Sequence, residues 1–387
     1  MSRIAAAGVF LVSLDSTINI AFPAMAAGFG VPPERMRWVI IAYVFTYAVT
    51  SFVGGAWADR VGHGRVFTAG LGTSGIAFLC AGLAPDFGWF LAARVVQGFG
   101  GGLVYGTAPG IVTAAAPSQA RVRALGVMNA AIGLGYCVGP LMAGALVEGF
   151  GWRSIFYVRV PMAVAVLVLA IPALRGERVP PTQRLVAARD VLRARVLWAG
   201  ALAFLANAGI FAIWLLAGFY LVTLRGFDTA TAGVLFMLTP LGTTVAAPLA
   251  GRIADRWGPR WPATAGLAAQ GLGLLWLGNA GASTVALAGA LFLSGFGLGV
   301  FQVPNMALVM AAFPSRHQGA AGGFTFLSRT LGTVFGVATL AQVFAWRSSA
   351  VGAAPAFADA FTCAAVLVAV AAALSVFGRG RASAPPA

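Results

Sequence analysis

The chain has 387 residues, 60% apolar and only 9% charged, with 25 arginines, no lysine and a net charge of +15. A soluble domain has roughly a quarter charged residues, so this chain cannot cover itself with polar surface in water and has to be solvated by lipid. The positive charge does not indicate nucleic acid, because the arginines are scattered through short loops and build no basic face or aromatic platform.

Spanning a bilayer takes about 20 mainly apolar residues. Twelve such segments follow one another, at 4–26, 37–57, 66–84, 89–111, 124–147, 154–174, 196–222, 231–251, 262–280, 283–305, 320–343 and 356–378. Backbone amides in lipid must be satisfied within their own segment, so each is expected to be a helix. The predicted class is an all-α polytopic membrane protein with twelve transmembrane helices in two six-helix halves. Residues 175–195 form the only long polar stretch, with Arg175, Arg178, Arg184, Arg189, Arg193 and Arg195. They divide the chain into an N-terminal half (1–174), a linker (175–195) and a C-terminal half (196–387). Arg3, the apolar run after it and Ala24 and Ala26 imitate a cleaved signal peptide. Asp15 interrupts that run, however, and losing the first helix would break the parity of the halves.

A charged loop signature follows the second segment: Gly55, Asp59, Arg60, Gly62 and Arg65. It returns after the eighth as Gly251, Asp255, Arg256, Gly258 and Arg260, with glycine, aspartate, arginine and glycine each 196 residues on. A repeat at half the chain length marks two homologous halves, as in transporters built from parallel repeats. Gly55 and Gly251 suit close helix packing, and Gly62 and Gly258 suit a tight turn. Placing both signatures, the linker and both termini on one side gives that side 17 of the 25 arginines. The other side has Arg35, Arg37, Arg153, Arg159, Arg225 and Arg347, and Arg94 and Arg329 lie within segments. By the positive-inside rule the linker and both termini are cytoplasmic, in the inner membrane.

Ten carboxylates are present, and nine fall in loops or at helix ends: Glu34, Asp59, Asp86, Glu148, Glu177, Asp190, Asp228, Asp255 and Asp359. Asp15 alone lies deep, about 16 Å into the first helix at 1.5 Å per residue. A carboxylate at that depth is costly and marks an ion or proton path. Burial favours its protonated form and a nearby cation its ionised form, so alternation between the two can carry a proton. Its alternative role is permanent helix glue. Arg94, roughly 7–8 Å below the outer end of the fourth helix, is the natural partner, unless it snorkels to the interface. Arg329 lies near mid-depth in the eleventh segment without an acidic neighbour. It either holds the helix interface or meets an anionic substrate group. One deep carboxylate against two deep arginines disfavours dications, so neutral, lipophilic or anionic substrates are expected. Candidate cavity residues are Asn19, Tyr43, Tyr47, Gln97, Asn129, Asn207, Trp214, Gln302 and Asn305, each of which could equally bond another helix. Cys80, Cys137 and Cys363 have no metal or disulfide spacing, and His63 and His317 fall in loops. With deep polar groups single and scattered, no enzyme site is expected.

At these residues the chain resembles the major facilitator superfamily, and more narrowly the drug:proton antiporters. The loop signature is that superfamily's mark. Residues 91–98, with Arg94, Gln97 and Gly98, match its fourth-helix arginine motif. Gly126, Gly135, Gly139, Pro140 and Gly144 match the fifth-helix antiporter motif, with Ala143 in place of one glycine. Leu14, Asp15, Thr17, Asn19 and Pro23 are similar to the first-helix motif of fourteen-helix drug exporters. Gly151, Trp152, Arg153 and Phe156, followed by Val160 and Pro161, also resemble that branch. Arg159 stands where the branch more often has asparagine, and Arg195 leads straight into the seventh segment without the branch's two extra helices.

The resemblance implies that Asp59 latches a neighbouring helix N-terminus and holds one conformer; a purely topogenic role for the loops is the alternative. It also implies that the fifth-helix glycines form an interface between halves that seals the pathway and marks exporters, although ordinary small-residue packing would use the same glycines. The expected function is a monomeric, proton-coupled efflux antiporter that exports small lipophilic, neutral or anionic compounds by alternating access. It would need no cofactor beyond the proton gradient. The alternative is proton-coupled uptake, or facilitated passage, of a small metabolite on the same fold.

Overall fold

The computed structural model describes residues 1–31, 33–174, 186, 188–217, 220–227, 229–281 and 283–377, and among these every regular element is helical. Most of the 175–195 linker lies outside the described residues. Helix α1 (Ser2–Ser13) passes through a 3-10 turn at Leu14–Thr17 into α2 (Ile18–Phe29). Then come α3 (Arg37–Val61), α4 (His63–Gly82), α5 (Phe87–Ala115) and α6 (Arg121–Phe150). The short α7 (Ser154–Tyr157) leads into α8 (Arg159–Leu174), and a single turn, α9 (Ala188–Val191), precedes α10 (Ala194–Ala212). The rest of the chain forms α11 (Thr229–Trp257), α12 (Arg260–Gly278), α13 (Thr284–Ala312), α14 (Gln318–Val351) and α15 (Ala353–Phe377).

These elements coincide with the twelve expected segments, apart from a one-residue turn at Val158 that divides the sixth into α7 and α8, and two larger corrections. The first segment is not one helix, because its middle tightens to a 3-10 turn around Asp15. The seventh loosens into π-helical turns at Ile213–Ala217 and Tyr220–Leu224. The second lies in an apolar run whose composition favours a regular helix, whereas the first falls on Asp15, Ser16 and Thr17, which are weak helix formers. Among the described residues, eight helices are long and apolar enough to cross a membrane by themselves. The other four segments are the one broken at Asp15 and the glycine-rich α4, α5 and α12. Large apolar side chains face outward, such as Phe45 at 71% exposure, as lipid solvation requires.

Local chemistry sets the helix ends. The Asp86 carboxylate caps α5 by accepting from the Trp89 N–H at 2.8 Å, and Ser283 caps α13 through the Ala286 N–H at 3.2 Å. Gly62 and Gly258 turn the chain between α3 and α4 and between α11 and α12, with φ of 101° and 82°. Side chains avoid that region, so glycine is the residue that permits so short a turn.

Helix α3 lies along α14, and α6 lies along α11. Small residues bring these backbones together, as lipid-solvated helix association requires. A Cβ at Gly55 would strike the Gly319 carbonyl, and one at Gly323 would strike the Ser51 carbonyl. At the α6–α11 crossing, a Cβ on Gly126 would lie 2.6 Å from the Ala247 carbonyl oxygen. The buried core of α1–α8 continues into α11, α13 and α14 beside the signature loops, through Ala247, Met310, Ala320 and Phe324. A second core, with Leu202, Leu274, Phe301 and Phe361, lies within α10–α15. The two six-helix groups are therefore sealed together on the signature side. Gly55→Val is expected to force this crossing apart, seen as loss of cross-linking between cysteines placed on α3 and α14 near the signature loop. Undiminished cross-linking in a folded variant would show that the close approach is dispensable.

Candidate functional site

The deep acid sits in the break of the first segment. In a continuous α-helix the Ile18 N–H would bond the Leu14 carbonyl; here it bonds the Asp15 carbonyl. The Leu14 carbonyl accepts instead from Arg159 Nη2 at 2.5 Å. Arg159 Nη1 also donates to Asp15 Oδ1 at 3.2 Å, so one guanidinium holds both the broken backbone and its carboxylate. A mid-helix 3-10 stretch of this kind often marks a hinge.

Arg94 grips the same carboxylate with a two-pronged bond, Nη1 to Oδ1 at 2.7 Å and Nη2 to Oδ2 at 2.8 Å. Its Nε donates to the Val39 carbonyl at 3.3 Å. Gln97, three residues on and so on the same face of α5, donates to Asp15 Oδ1 at 2.7 Å and accepts from Arg94 at 2.6 Å. The Tyr43 ring faces Arg94, 4.4 Å from its guanidinium carbon. Exposure is 9% for Asp15, 1% for Arg94 and 0% for Arg159. Two arginines around one carboxylate leave the cluster with one net positive charge.

Arg159 corrects the expectation that it lies among the outer-side loop arginines. It is fully buried, between the rings of Phe78 and Phe156 at 5.5 and 5.7 Å. The available signal was its place five residues inside the 154–174 segment, where an arginine either snorkels outward or turns inward to an acid.

The two signatures form matching contacts across the halves. Asp59 accepts from the N–H groups of Gly319 and Ala320 at 2.7 and 2.8 Å, at the start of α14. Asp255 accepts from the N–H groups of Val122 and Arg123 at 3.2 and 3.1 Å, at the start of α6. The first four N–H groups of a helix lack internal partners and carry partial positive charge, so a carboxylate is favourable there. Asp59 also lies 3.0 Å from His63 Nε2. Arg60, Arg65 and Arg256 are exposed, and Arg260 donates to the Val376 carbonyl at 2.9 Å.

The fifth-helix glycines do not act as one strip. Gly126 meets α11 across the halves, but Gly135 packs on α1, against Ser13 and the Phe10 carbonyl. Gly139 is buried, Pro140 lies inside α6, and the burial of Gly144 lies outside the described residues.

The polar cavity candidates separate into groups. Gln97 and Tyr43 belong to the Asp15 cluster. Asn129 Oδ1 accepts from Arg329 Nη1 at 3.3 Å, and the Gln302 carbonyl from Arg329 Nη2 at 3.2 Å. Asn207 bonds its own helix at Ala203, and Asn305 bonds the Ala199 carbonyl, so these two are helix contacts. Trp214 lies edge-on to Tyr136, with ring centroids 6.0 Å apart. The side chain of Asn19 lies outside the described residues. No metal-holding cluster occurs among the described residues.

Comparison with known proteins agrees with this architecture. The family model for the Major Facilitator Superfamily matches residues 4–337 and 220–385. The riboflavin transporter RibZ of Clostridioides difficile is 28% identical over 395 residues, covering 87% of this chain and 86% of that protein. The multidrug resistance protein Stp of Mycobacterium tuberculosis (strain CDC 1551 / Oshkosh) is 29% identical over 404 residues, covering 88% of this chain and 75% of that protein. In fold, the human organic anion transporter MFSD10 superposes with a TM-score of 0.76 at 18% identity, over 97% of this chain and 98% of that one. With its helical architecture and a family match over most of its length, the chain belongs to the Major Facilitator Superfamily, whose members are membrane transporters.

Proposed function

We propose that this transporter is a proton-coupled efflux antiporter for small lipophilic, neutral or anionic compounds. Twelve crossings form two halves, 1–174 and 196–387, joined by the 175–195 linker. The linker and both termini face the cytoplasm from the inner membrane, and the monomer needs only the proton gradient. The halves rock about a central site, and the two signature aspartates act as latches that favour the conformer closed on the cytoplasmic side. Asp15 takes up and releases the coupling proton, with Arg94, Gln97 and Arg159 holding its ionised form between turnovers.

The observation that carries this reading is Asp15 itself, a carboxylate in a helix break, held by two buried arginines. Buried ionisable groups in membrane helices are costly and commonly belong to ion or proton paths. Relatives named as multidrug resistance or drug efflux proteins support the export direction. A second reading, uptake of a small metabolite, draws support from the relative named as a riboflavin transporter.

The test is compound accumulation in an efflux-deficient bacterium expressing the protein, across neutral, anionic and dicationic compounds. Export lowers accumulation of neutral or anionic compounds, and an uncoupler abolishes the effect. Raised accumulation would establish uptake instead, and strong export of dications would overturn the substrate class.

A further inference from the structure

Arg329 is a buried cation without an acid to balance it. It is 8% exposed on α14, and its hydrogen bonds run to two neutral oxygens, on Asn129 and Gln302. No carboxylate pairs with it among the described residues. The deep carboxylate, Asp15, is already held by Arg94 and Arg159. A guanidinium presents five N–H donors in a planar fork that matches a carboxylate. Burying such a charge unpaired is unfavourable, so its retention points to an anion that comes and goes.

Aromatic rings lead away from this cation. The Arg329 guanidinium carbon is 5.4 Å from the Phe326 ring centre. Phe326 and Tyr105 have ring centroids 4.8 Å apart, Tyr105 and Tyr47 5.6 Å, and Tyr47 and Tyr43 5.5 Å. Tyr43 then faces Arg94. A continuous aromatic run from α14 through α5 to α3 thus joins the unbalanced arginine to the Asp15 cluster.

Resting on the transport reading above, we infer that Arg329 receives the carboxylate of an aromatic monoanion whose ring lies against Phe326, Tyr105 and Tyr47. The fork pairs with the oxyanion through parallel N–H bonds, and the rings supply offset or edge-on contacts to an aromatic body. A small inorganic anion would satisfy the charge and leave the rings unused. The site also belongs to both halves. Asn129 lies on α6 and Tyr47 on α3, and the Tyr47 hydroxyl shares a 2.5 Å hydrogen bond with Thr330 on α14. An anion that takes Arg329 competes with Asn129, so substrate binding and rocking act on one contact between the halves.

The test is equilibrium binding to the purified full-length protein in nanodiscs, with no proton gradient. The probes are 2-naphthoate, its neutral counterpart 2-naphthamide, and acetate. Wild type is expected to bind 2-naphthoate at least tenfold more tightly than either of the others. Arg329→Gln is expected to lose the preference over the amide, and Arg329→Lys to keep part of it. Phe326→Leu is expected to reduce the preference over acetate, and it still tests the site if Arg329→Gln does not fold. Equal binding of the acid and the amide by wild type, no binding of 2-naphthoate, or a preference that survives Arg329→Gln would overturn the assignment. Selective binding by a wild type that exchanges no protons would leave this site standing and remove the antiport reading.

Discussion

Asp15→Asn is expected to abolish proton-driven transport while leaving exchange of substrate down its own gradient. The amide can accept one hydrogen bond from Arg94 but can neither bind nor release a proton. The variant also leaves Arg94 and Arg159 facing each other without a counter-ion. Breaking a buried pair by removing one partner costs about 3–5 kcal/mol, so the single variant should be poorly stable. The double variant Asp15→Asn/Arg159→Gln returns the cluster to its original net charge and should recover thermal stability but not coupling. Reconstituted vesicles with a pH-sensitive dye and a labelled substrate read both quantities. Proton flux persisting in the stable double variant would place coupling elsewhere and leave Asp15 as a structural bond.

The second large effect is expected at the latch. Asp59 accepts two short bonds from the start of α14 and is buried, whereas Asp255 makes longer bonds to α6 and is more exposed. A carboxylate at a partly buried helix N-terminus contributes up to ~2 kcal/mol. Since about 1.4 kcal/mol is a factor of ten in an equilibrium constant, Asp59→Asn should shift the conformational balance roughly ten- to thirtyfold away from the closed signature side. Asp255→Asn should shift it less. Distances between spin labels at the exposed positions 65 and 315 would report this as a growing long-distance population. Equal shifts in the two variants, or none, would show that the latches are unequal in geometry only.

Much of this molecule was legible from its residues. Lipid leaves each apolar run one way to satisfy its backbone, so the twelve segments follow from composition and length. Asp15 stood out because nine other carboxylates avoid the depth it occupies. The signature repeat located both carboxylates, and the resemblance directed Asp59 to a helix N-terminus, but no side-chain pattern marks which backbone N–H groups they meet, those of Gly319, Ala320, Val122 and Arg123. Arg159 was missed because an arginine near a helix end carries the same sequence signal whether it turns to lipid headgroups or to a buried acid. The aromatic run was invisible because Tyr43 and Tyr47, Tyr105 and Phe326 come from helices far apart in the chain, and only packing aligns their rings. The break at Ile213–Ala217 was hidden for a different reason, since its apolar sequence favours an unbroken helix, whereas the break at Leu14–Thr17 falls on Asp15, Ser16 and Thr17, weak helix formers that the surrounding apolar run outweighed.

Among the described residues, the side chains that hydrogen-bond the Asp15 carboxylate all belong to the N-terminal group of helices: Arg94 and Gln97 on α5, and Arg159 on α8. If the halves rock as rigid bodies, as proposed above, the acid and its counter-ions travel together, like luggage in one carriage, and keep their spacing. On that reading, the proton-coupling acid and the moving joint are separable parts. A chain of this design could lose its acid and become a passive carrier without altering the surface on which its halves turn. Such modularity would let one scaffold serve proteins as differently named as a vitamin transporter and a drug resistance protein.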